Sequence, residues 1–111
     1  MRINVKIGDI LEIDFDETEE TPEEIAKSLA SYSDVPESKA FLDWCIKTLD
    51  NSFKVEQIVY NKKFYDGSTD KKSLKNKIFY DEQYRELNIP TPFDSFWLTI
   101  PIESLVKIDI S

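Results

Sequence analysis

The chain has 111 residues, of which 41% are hydrophobic and 32% charged, and its formal net charge is −8. This length and apolar content suit a single domain over residues 1–111 with one packed core, and they argue against global disorder. The acidic balance disfavours binding to anionic membranes or duplex DNA through overall charge, and it predicts that any partner steered by that charge is basic.

The N-terminal segment from Ile3 to Phe15 has the alternating pattern of a strand. Ile3, Val5 and Ile7 alternate with polar residues, and Leu11, Ile13 and Phe15 resume the pattern in a different phase. The break falls at Gly8-Asp9, which predicts a bulge or tight bend in one long strand, or a hairpin of two short strands.

A first helix is predicted over residues 22–32. Thr21 is placed to cap it, Pro22 suits its first position, and Glu24 completes a capping box. The spacing predicts an apolar face that is buried and consists of Ile25, Ala26, Leu29 and Tyr32.

A second helix is predicted over residues 35–50, with Asp34 as its cap and Glu37 three residues further on. Its apolar residues recur at helical spacing: Phe41, Leu42, Cys45, Ile46 and Leu49. The helix is expected to end near Asp50-Asn51.

The remaining segments are predominantly extended. Strands are predicted at residues 53–60, around Phe64-Tyr65, at 77–81, at 96–100 and at 106–110. Residues 66–70 and 88–94 are predicted loops, the second because it contains Pro90 and Pro92, and residues 102–105 a short turn. Pro101 removes a backbone donor and therefore marks a strand end or a sheet edge.

These elements predict an α+β fold, in which a small antiparallel sheet or partly closed β-barrel is covered on one side by two short helices inserted after the first strand region. The N- and C-terminal strands are expected to pair or lie next to each other. Val5 to Ile13, with its Gly-Asp pair before an apolar strand, and Trp97 to Ile110, with a Pro-led turn before the last strand, resemble the two ends of PUA-like regulatory barrels. The resemblance implies RNA binding.

The composition argues against an enzyme. The chain has no histidine, so the Ser-His and Cys-His dyads are missing, and no Gly-rich phosphate loop is present. The single cysteine, Cys45, lies on the apolar face of the second helix and is expected to be a buried thiol. No metal or other cofactor is predicted. A carboxylate- or metal-dependent enzyme, with ligands such as Asp14 and Asp16, is the least favoured alternative.

Two oppositely charged stretches stand out. Seven acids and no base lie between Asp14 and Glu24. The candidate partner-binding residues are six of these acids together with Trp44 as an aromatic anchor: Asp14, Asp16, Glu17, Glu19, Glu20 and Glu23. The alternative is a solvated loop followed by carboxylates that favour the helix dipole. For Trp44 the alternative is a residue at the edge of the core.

Residues 61–77 contain six lysines and only two aspartates, which gives a local charge of +4. Lysines beside aromatic residues can hold RNA phosphates while bases stack on the rings. The candidate RNA-binding residues are Lys62, Lys63, Phe64, Tyr65, Lys71, Lys72, Lys75 and Lys77. The alternative is an exposed loop that protects an edge strand from pairing.

The favoured function is therefore a non-enzymatic regulatory or inhibitory module that contacts a basic protein surface through its acidic residues. An RNA-binding regulator of PUA-like type is the second hypothesis. The composition, rich in Lys, Ile, Asn and Asp, suggests a bacterial, phage or plasmid origin, and the N-terminus has no apolar run typical of a signal peptide, so a cytoplasmic location is expected.

Overall fold

The computed structural model describes residues 4–15, 19–33, 38–60, 76–93 and 97–108. Within these ranges the protein is α+β, with two helices and two sheets around one main hydrophobic core. The predicted fold class is confirmed at this level. Neither sheet closes into a barrel within the described ranges.

Helix α1, Pro22–Tyr32, begins as its sequence predicts. The Thr21 side chain accepts a hydrogen bond from the Glu24 amide at 3.2 Å, and the Glu24 carboxylate accepts one from the Thr21 amide at 3.3 Å. Ile25, Ala26 and Leu29 are buried as expected. Tyr32 is not: half of its surface is exposed, because its hydroxyl donates a hydrogen bond to the Glu86 carboxylate at the protein surface.

Helix α2, Lys39–Leu49, is shorter than predicted. Ser38 is the N-cap, because its hydroxyl accepts a hydrogen bond from the Phe41 amide at 3.1 Å while its own backbone is extended. The predicted start at residue 35 is therefore wrong, and the predicted cap Asp34 lies outside the described residues. Phe41, Cys45 and Leu49 are buried, and Asp50 ends the helix.

The first sheet has the strand order β2-β1-β7, and all its pairs are antiparallel. It consists of β1 (Ile10–Ile13), β2 (Phe53–Lys54) and β7 (Leu105–Ile108). The predicted pairing of the N- and C-terminal strands is confirmed, because Ile10 pairs with Ile108 and Ile13 with Leu105.

The N-terminal strand is shorter than predicted. Residues 4–9 form no strand, and the chain turns at Ile7-Gly8, where Gly8 has a φ of +94° that an L side chain rarely adopts. The turn is closed by the Asp9 amide, which donates to the Lys6 carbonyl at 3.0 Å. Ile7 is consequently 61% exposed instead of facing a core.

The predicted strand at 53–60 is divided between the two sheets. The Val55 amide still bonds the Asp9 carbonyl beside the first sheet at 2.8 Å, whereas the next amide, of Glu56, bonds the Ile78 carbonyl at 2.9 Å. The chain therefore passes from one sheet to the other between Val55 and Glu56.

The second sheet is mixed, with the order β3-β4-β5-β6. Its strands are β3 (Gln57–Val59), β4 (Phe79–Asp81), β5 (Glu86–Pro90) and β6 (Trp97–Pro101). Strands β3 and β4 are parallel and the other pairs antiparallel. The predicted strand at 77–81 is confirmed as β4, and Pro101 ends strand β6 at the edge of the sheet.

The predicted loop at 88–94 is wrong for its first part, which belongs to β5. Leu87 and Ile89 are buried, and the buried Asn88 is accommodated because its side-chain oxygen, Oδ1, accepts a hydrogen bond from the Thr99 hydroxyl at 2.8 Å. Pro90 is the last residue of the strand, where a missing donor costs least.

The chain turns from β6 into β7 through a 3-10 turn, Ile102–Ser104, in the predicted position. Helix α1 packs against β6 and α2. Among the described residues, no helix combines the length and the apolar character needed to cross a bilayer.

Candidate functional site

An acidic cleft lies between the middle of α1, the end of β1 and the 3-10 turn. It has a volume of about 180 Å³. Its lining consists of three apolar, two hydroxyl and three carboxylate side chains: Ile13, Ile25, Leu29, Ser28, Ser104, Asp14, Glu20 and Glu103. No lysine or arginine is among these residues.

The pairing of β1 with β7 brings two of the carboxylates together. Because Ile13 pairs with Leu105, Asp14 comes to lie opposite Ser104, and its amide donates to the Ser104 carbonyl at 3.0 Å. Glu103 precedes Ser104 in the 3-10 turn. Two acids almost ninety positions apart in the sequence therefore line one cleft.

Helix α1 forms the opposite wall. Ile25, Ser28 and Leu29 are three and four residues apart, so they lie on the same face of the helix. The capping box that fixes the start of α1 at Pro22 also fixes which face is presented. Glu20 lies just before the cap residue Thr21 and completes the rim.

The cleft has an apolar floor and a charged rim. Ile13, Ile25 and Leu29 are almost fully buried, whereas Glu20 and Glu103 are exposed and Asp14 is half-buried. A group that fits such a surface has an apolar stem and a cationic head. The described lining residues offer carboxylate and hydroxyl oxygens, which can accept hydrogen bonds or pair with a cation.

Negative charges also lie near Tyr32, at the C-terminal end of α1. The pKa of Tyr32 is raised to about 12 by burial first, and then by the hydrogen bond to Glu86 and the charges of Glu86 and Glu103. Glu103 therefore faces both the cleft and the C-terminal end of α1. Glu86 extends the acidic surface onto β5.

The acidic residues predicted from the sequence lie at different places in the structure. Asp14 and Glu20 line the cleft, and Glu19 is exposed near it in sequence. Glu23 lines a different groove, between α1 and α2, and is 3.7 Å from Lys27 in an ion pair. Glu24 forms the capping box. Asp16 and Glu17 lie outside the described residues.

Trp44 is part of the edge of the core. It is partly buried, and its ring lies 5.9 Å from Phe41 and 6.2 Å from Phe93 between centroids. It does not line the acidic cleft. These contacts favour the structural interpretation of Trp44 over that of an exposed interface anchor.

The basic segment lies almost entirely outside the described residues. This holds for seven of its eight candidate residues: Lys62, Lys63, Phe64, Tyr65, Lys71, Lys72 and Lys75. Lys77 is described and exposed, and Tyr60, at the other end of the segment, is 54% exposed. RNA binding by this segment stays a prediction.

Cys45 is fully buried in the core, as predicted. Burial raises the pKa of its thiol to about 11, so the reactive thiolate is disfavoured at neutral pH. In the part of the chain that the structure describes, no three acidic or thiol side chains converge on a point where they could hold a metal ion.

Sequence reasoning missed Glu103, Ser28 and Ser104. For Glu103 and Ser104 the signal was the predicted pairing of the terminal strands, because an antiparallel register places the residue before β7 beside the residue after β1. Comparison with known proteins adds no identification: no family model, curated protein or solved structure matches this chain.

Proposed function

We propose that this protein is a non-enzymatic regulatory or inhibitory module that binds a basic protein partner through the acidic cleft. One observation supports the proposal most: carboxylates from three separate parts of the chain, Asp14, Glu20 and Glu103, line a single cleft, and none of its described lining residues is basic. Glu86 extends the same acidic surface beside Tyr32.

The proposal does not include Glu24 and Glu23, whose contacts lie within helix α1 and its cap. Glu24 satisfies the start of α1, and Glu23 is paired with Lys27 on the same helix. Both would be present in any helix of this kind, and they carry no information about a partner. The cleft carboxylates come from different elements, and their shared position is a property of the tertiary fold.

A partner bound in this way would be recognised through charge complementarity. Such contacts accelerate association and weaken as salt screens them over a Debye length of about 8 Å at physiological ionic strength. The apolar floor of the cleft adds a contact that salt does not weaken. The affinity of the complex is therefore expected to fall as the salt concentration rises, but a modest rise in salt should not abolish binding.

The test is affinity capture at low salt with three immobilised proteins. They are the wild type, the charge-reversed variant Glu20→Lys/Glu103→Lys, and the matched control Asp43→Lys/Asp50→Lys. The control changes the net charge equally at exposed positions that do not line the cleft. Circular dichroism establishes that all three proteins are folded.

The proposal predicts a stoichiometric basic protein that the wild type and the control retain, that the cleft variant loses, and that high salt elutes. Two results would overturn it. One is the absence of any stoichiometric protein at low salt, and the other is equal capture by the cleft variant and the control.

The alternative is an RNA-binding regulator of PUA-like type that uses residues 60–80. Its support is limited to the exposure of Tyr60 and Lys77 at the two ends of the lysine-rich segment. A gel shift with pooled single-stranded and hairpin RNA tests it. If replacing Lys71 and Lys72 by Glu leaves the RNA affinity unchanged, this alternative is wrong.

A further inference from the structure

The edges of the two sheets differ in how their outward backbone groups are satisfied. An unpaired strand edge presents N–H and C=O groups that can pair with another chain, and most proteins protect such edges. In the described part of the chain, three of the four sheet edges are protected, and the fourth, strand β7, is not. We infer that β7 pairs with β7 of a second copy of this protein, so that two copies share one continuous antiparallel sheet.

Each of the three protected edges has its own device. At the β6 edge, the Thr99 amide donates to the Ser33 hydroxyl at 2.8 Å, and Pro101 has no amide hydrogen. At the β3 edge, the Ile58 amide donates to the Gln57 side chain at 3.0 Å. The β2 edge is only two residues long, which is itself a form of protection. These edges offer little for an added strand to bind.

The register of β1 with β7 determines which groups of β7 face outward. The Asp14 amide donates to the Ser104 carbonyl at 3.0 Å, and bonded pairs alternate with non-bonded pairs along an antiparallel ladder. Leu105 and Lys107 therefore occupy non-bonded positions, and their backbone groups point away from β1. The Leu105 amide donates to the Ile102 carbonyl, but no described residue accepts a hydrogen bond from the Lys107 amide. The free groups are the Leu105 carbonyl and both backbone groups of Lys107.

The lysine in β7 does not guard this edge. A lysine can protect a strand edge because pairing would bury its solvated charge. The Lys107 ammonium is instead 3.1 Å from the Asp9 carboxylate, and it donates to the Asn4 carbonyl at 3.5 Å. Asp9 directly precedes β1, so the Lys107 side chain reaches toward the neighbouring strand and leaves the outward backbone groups accessible.

The free groups of β7 are complementary to those of a second β7. With a two-fold axis beside Val106, the Lys107 amide of each copy donates to the Leu105 carbonyl of the other copy. The two Val106 side chains then lie side by side, and the two Lys107 residues do not face each other, which avoids a like-charge pair. Val106 and Ile108 are half-buried, so the second copy covers apolar surface that one copy leaves partly exposed.

The edge contact is small, and the dimer is therefore expected to be weak. A strand of four residues buries much less than the roughly 1,200–2,000 Å² of stable complexes, so association is expected at about 0.1–1 mM protein. Two copies with a net charge of −8 repel each other, so added salt should strengthen their association. Binding of a basic partner in the acidic cleft should weaken with salt, so the two contacts respond in opposite directions.

The test is sedimentation velocity at protein concentrations up to about 1 mM, combined with amide hydrogen exchange followed by NMR. Lys107→Pro removes the outward amide hydrogen, and Lys107→Ala is its control because it removes the side chain but keeps that hydrogen. Val106→Lys places two like charges beside each other across the two-fold axis. Its control Ser31→Lys makes the same change in charge at an exposed position on α1. Circular dichroism establishes which variants are folded.

We expect the wild type to dimerise and its Lys107 amide to become protected from exchange as the concentration rises. Lys107→Pro removes two hydrogen bonds per dimer and should weaken dimerisation by about 5- to 100-fold, whereas Lys107→Ala should change it by less than about 2-fold. Val106→Lys should also weaken the dimer, and Ser31→Lys should not.

A wild-type protein that stays monomeric up to about 1 mM would overturn the inference. So would a dimer whose Lys107 amide exchanges as in the monomer, or one that Val106→Lys leaves intact. If Lys107→Pro does not fold, Val106→Lys and Ser31→Lys decide the outcome. The proposed function is tested separately by affinity capture, because none of these substitutions changes a residue that lines the acidic cleft.

Discussion

Ser33 joins helix α1 to the edge of the second sheet, and we expect Ser33→Ala to show how much this contact stabilises the fold. The Ser33 hydroxyl accepts a hydrogen bond from the Thr99 amide at 2.8 Å and donates one to the Thr99 carbonyl at 3.3 Å. Thr99 lies in β6, whose only neighbouring strand in the described part of the sheet is β5. One side chain therefore satisfies both outward backbone groups of an edge residue.

The expected magnitude follows from the group that is left without a partner. Removing one partner of a buried backbone donor costs about 1–3 kcal/mol, and since this site is only part-buried, water can replace some of the loss. We therefore expect the free energy of unfolding to fall by about 1–2 kcal/mol. With a urea m-value of about 2 kcal/mol/M, the middle of the range for small proteins, the midpoint should fall by roughly 0.5–1 M at an unchanged slope.

The assay is urea unfolding followed by tryptophan fluorescence and circular dichroism. Ser31→Ala is the matched control, because Ser31 is exposed on the same helix and the substitution should change stability by less than about 0.5 kcal/mol. Equal midpoints for Ser33→Ala and Ser31→Ala would show that the hydroxyl does not hold helix and sheet together.

Three further predictions concern titratable groups. Cys45 should react with iodoacetamide at pH 8 far more slowly in the folded protein than in urea, because its thiol is buried and its pKa is about 11; equal rates would contradict its burial. Tyr32, whose pKa is raised to about 12, should add stability below pH 10 that is lost as the pH rises through 12, and Tyr32→Phe should remove a step near pH 12 from the absorbance titration at 295 nm. Burial acts to raise the pKa of Asp9, but the hydrogen bond from the Lys6 amide and the ion pair with Lys107 at 3.1 Å outweigh it and lower the pKa below 3.8. The stabilising effect of the Asp9 carboxylate is therefore present above pH 3.8 and lost as the pH falls through the lowered pKa. Asp9→Asn should lower the melting temperature near neutral pH and make that temperature decline less in acid. Identical melting profiles of the variant and the wild type would contradict this.

The start of a helix was predicted correctly where several neighbouring residues all indicated it. Thr21, Pro22 and Glu24 together specify a start that can be read from three neighbouring residues, and α1 begins there. For α2, Asp34 and Glu37 formed a capping pattern of the same type, but Ser38 is the residue that caps. The local pattern therefore placed the start of the helix too early, and it did not identify Ser38, whose hydroxyl accepts a hydrogen bond from the Phe41 amide.

The strands depended more strongly on distant residues. A segment with Asn88 and two prolines is typical of a loop, but β5 pairs with β4 and β6, and Thr99, eleven residues later, donates a hydrogen bond to the buried Asn88 side chain. Likewise, the apolar residues from Phe53 to Val59 look continuous in sequence, yet Val55 and Glu56 bond to different partners and divide the strand. Neither partner can be identified from the local pattern.

Only some residues of the candidate site could be predicted from the sequence. Asp14 and Glu20 belong to a conspicuous acidic run, but that run also contains Glu23 and Glu24, which serve α1. Glu103 is a single acid in a short turn, and the composition of that segment does not indicate a charged site. It joins the site only through the register of β1 with β7, which was expected in outline but not residue by residue.

The most direct test of the acidic cleft as a binding site is an NMR footprint of the captured basic partner on ¹⁵N-labelled protein at low salt. The account predicts that amide signals around Asp14, Ser28 and Ser104 shift or broaden first, while those around Asp43 and Lys77 stay in place. A footprint centred on α2 or on Lys77, with the cleft signals unchanged, would contradict it.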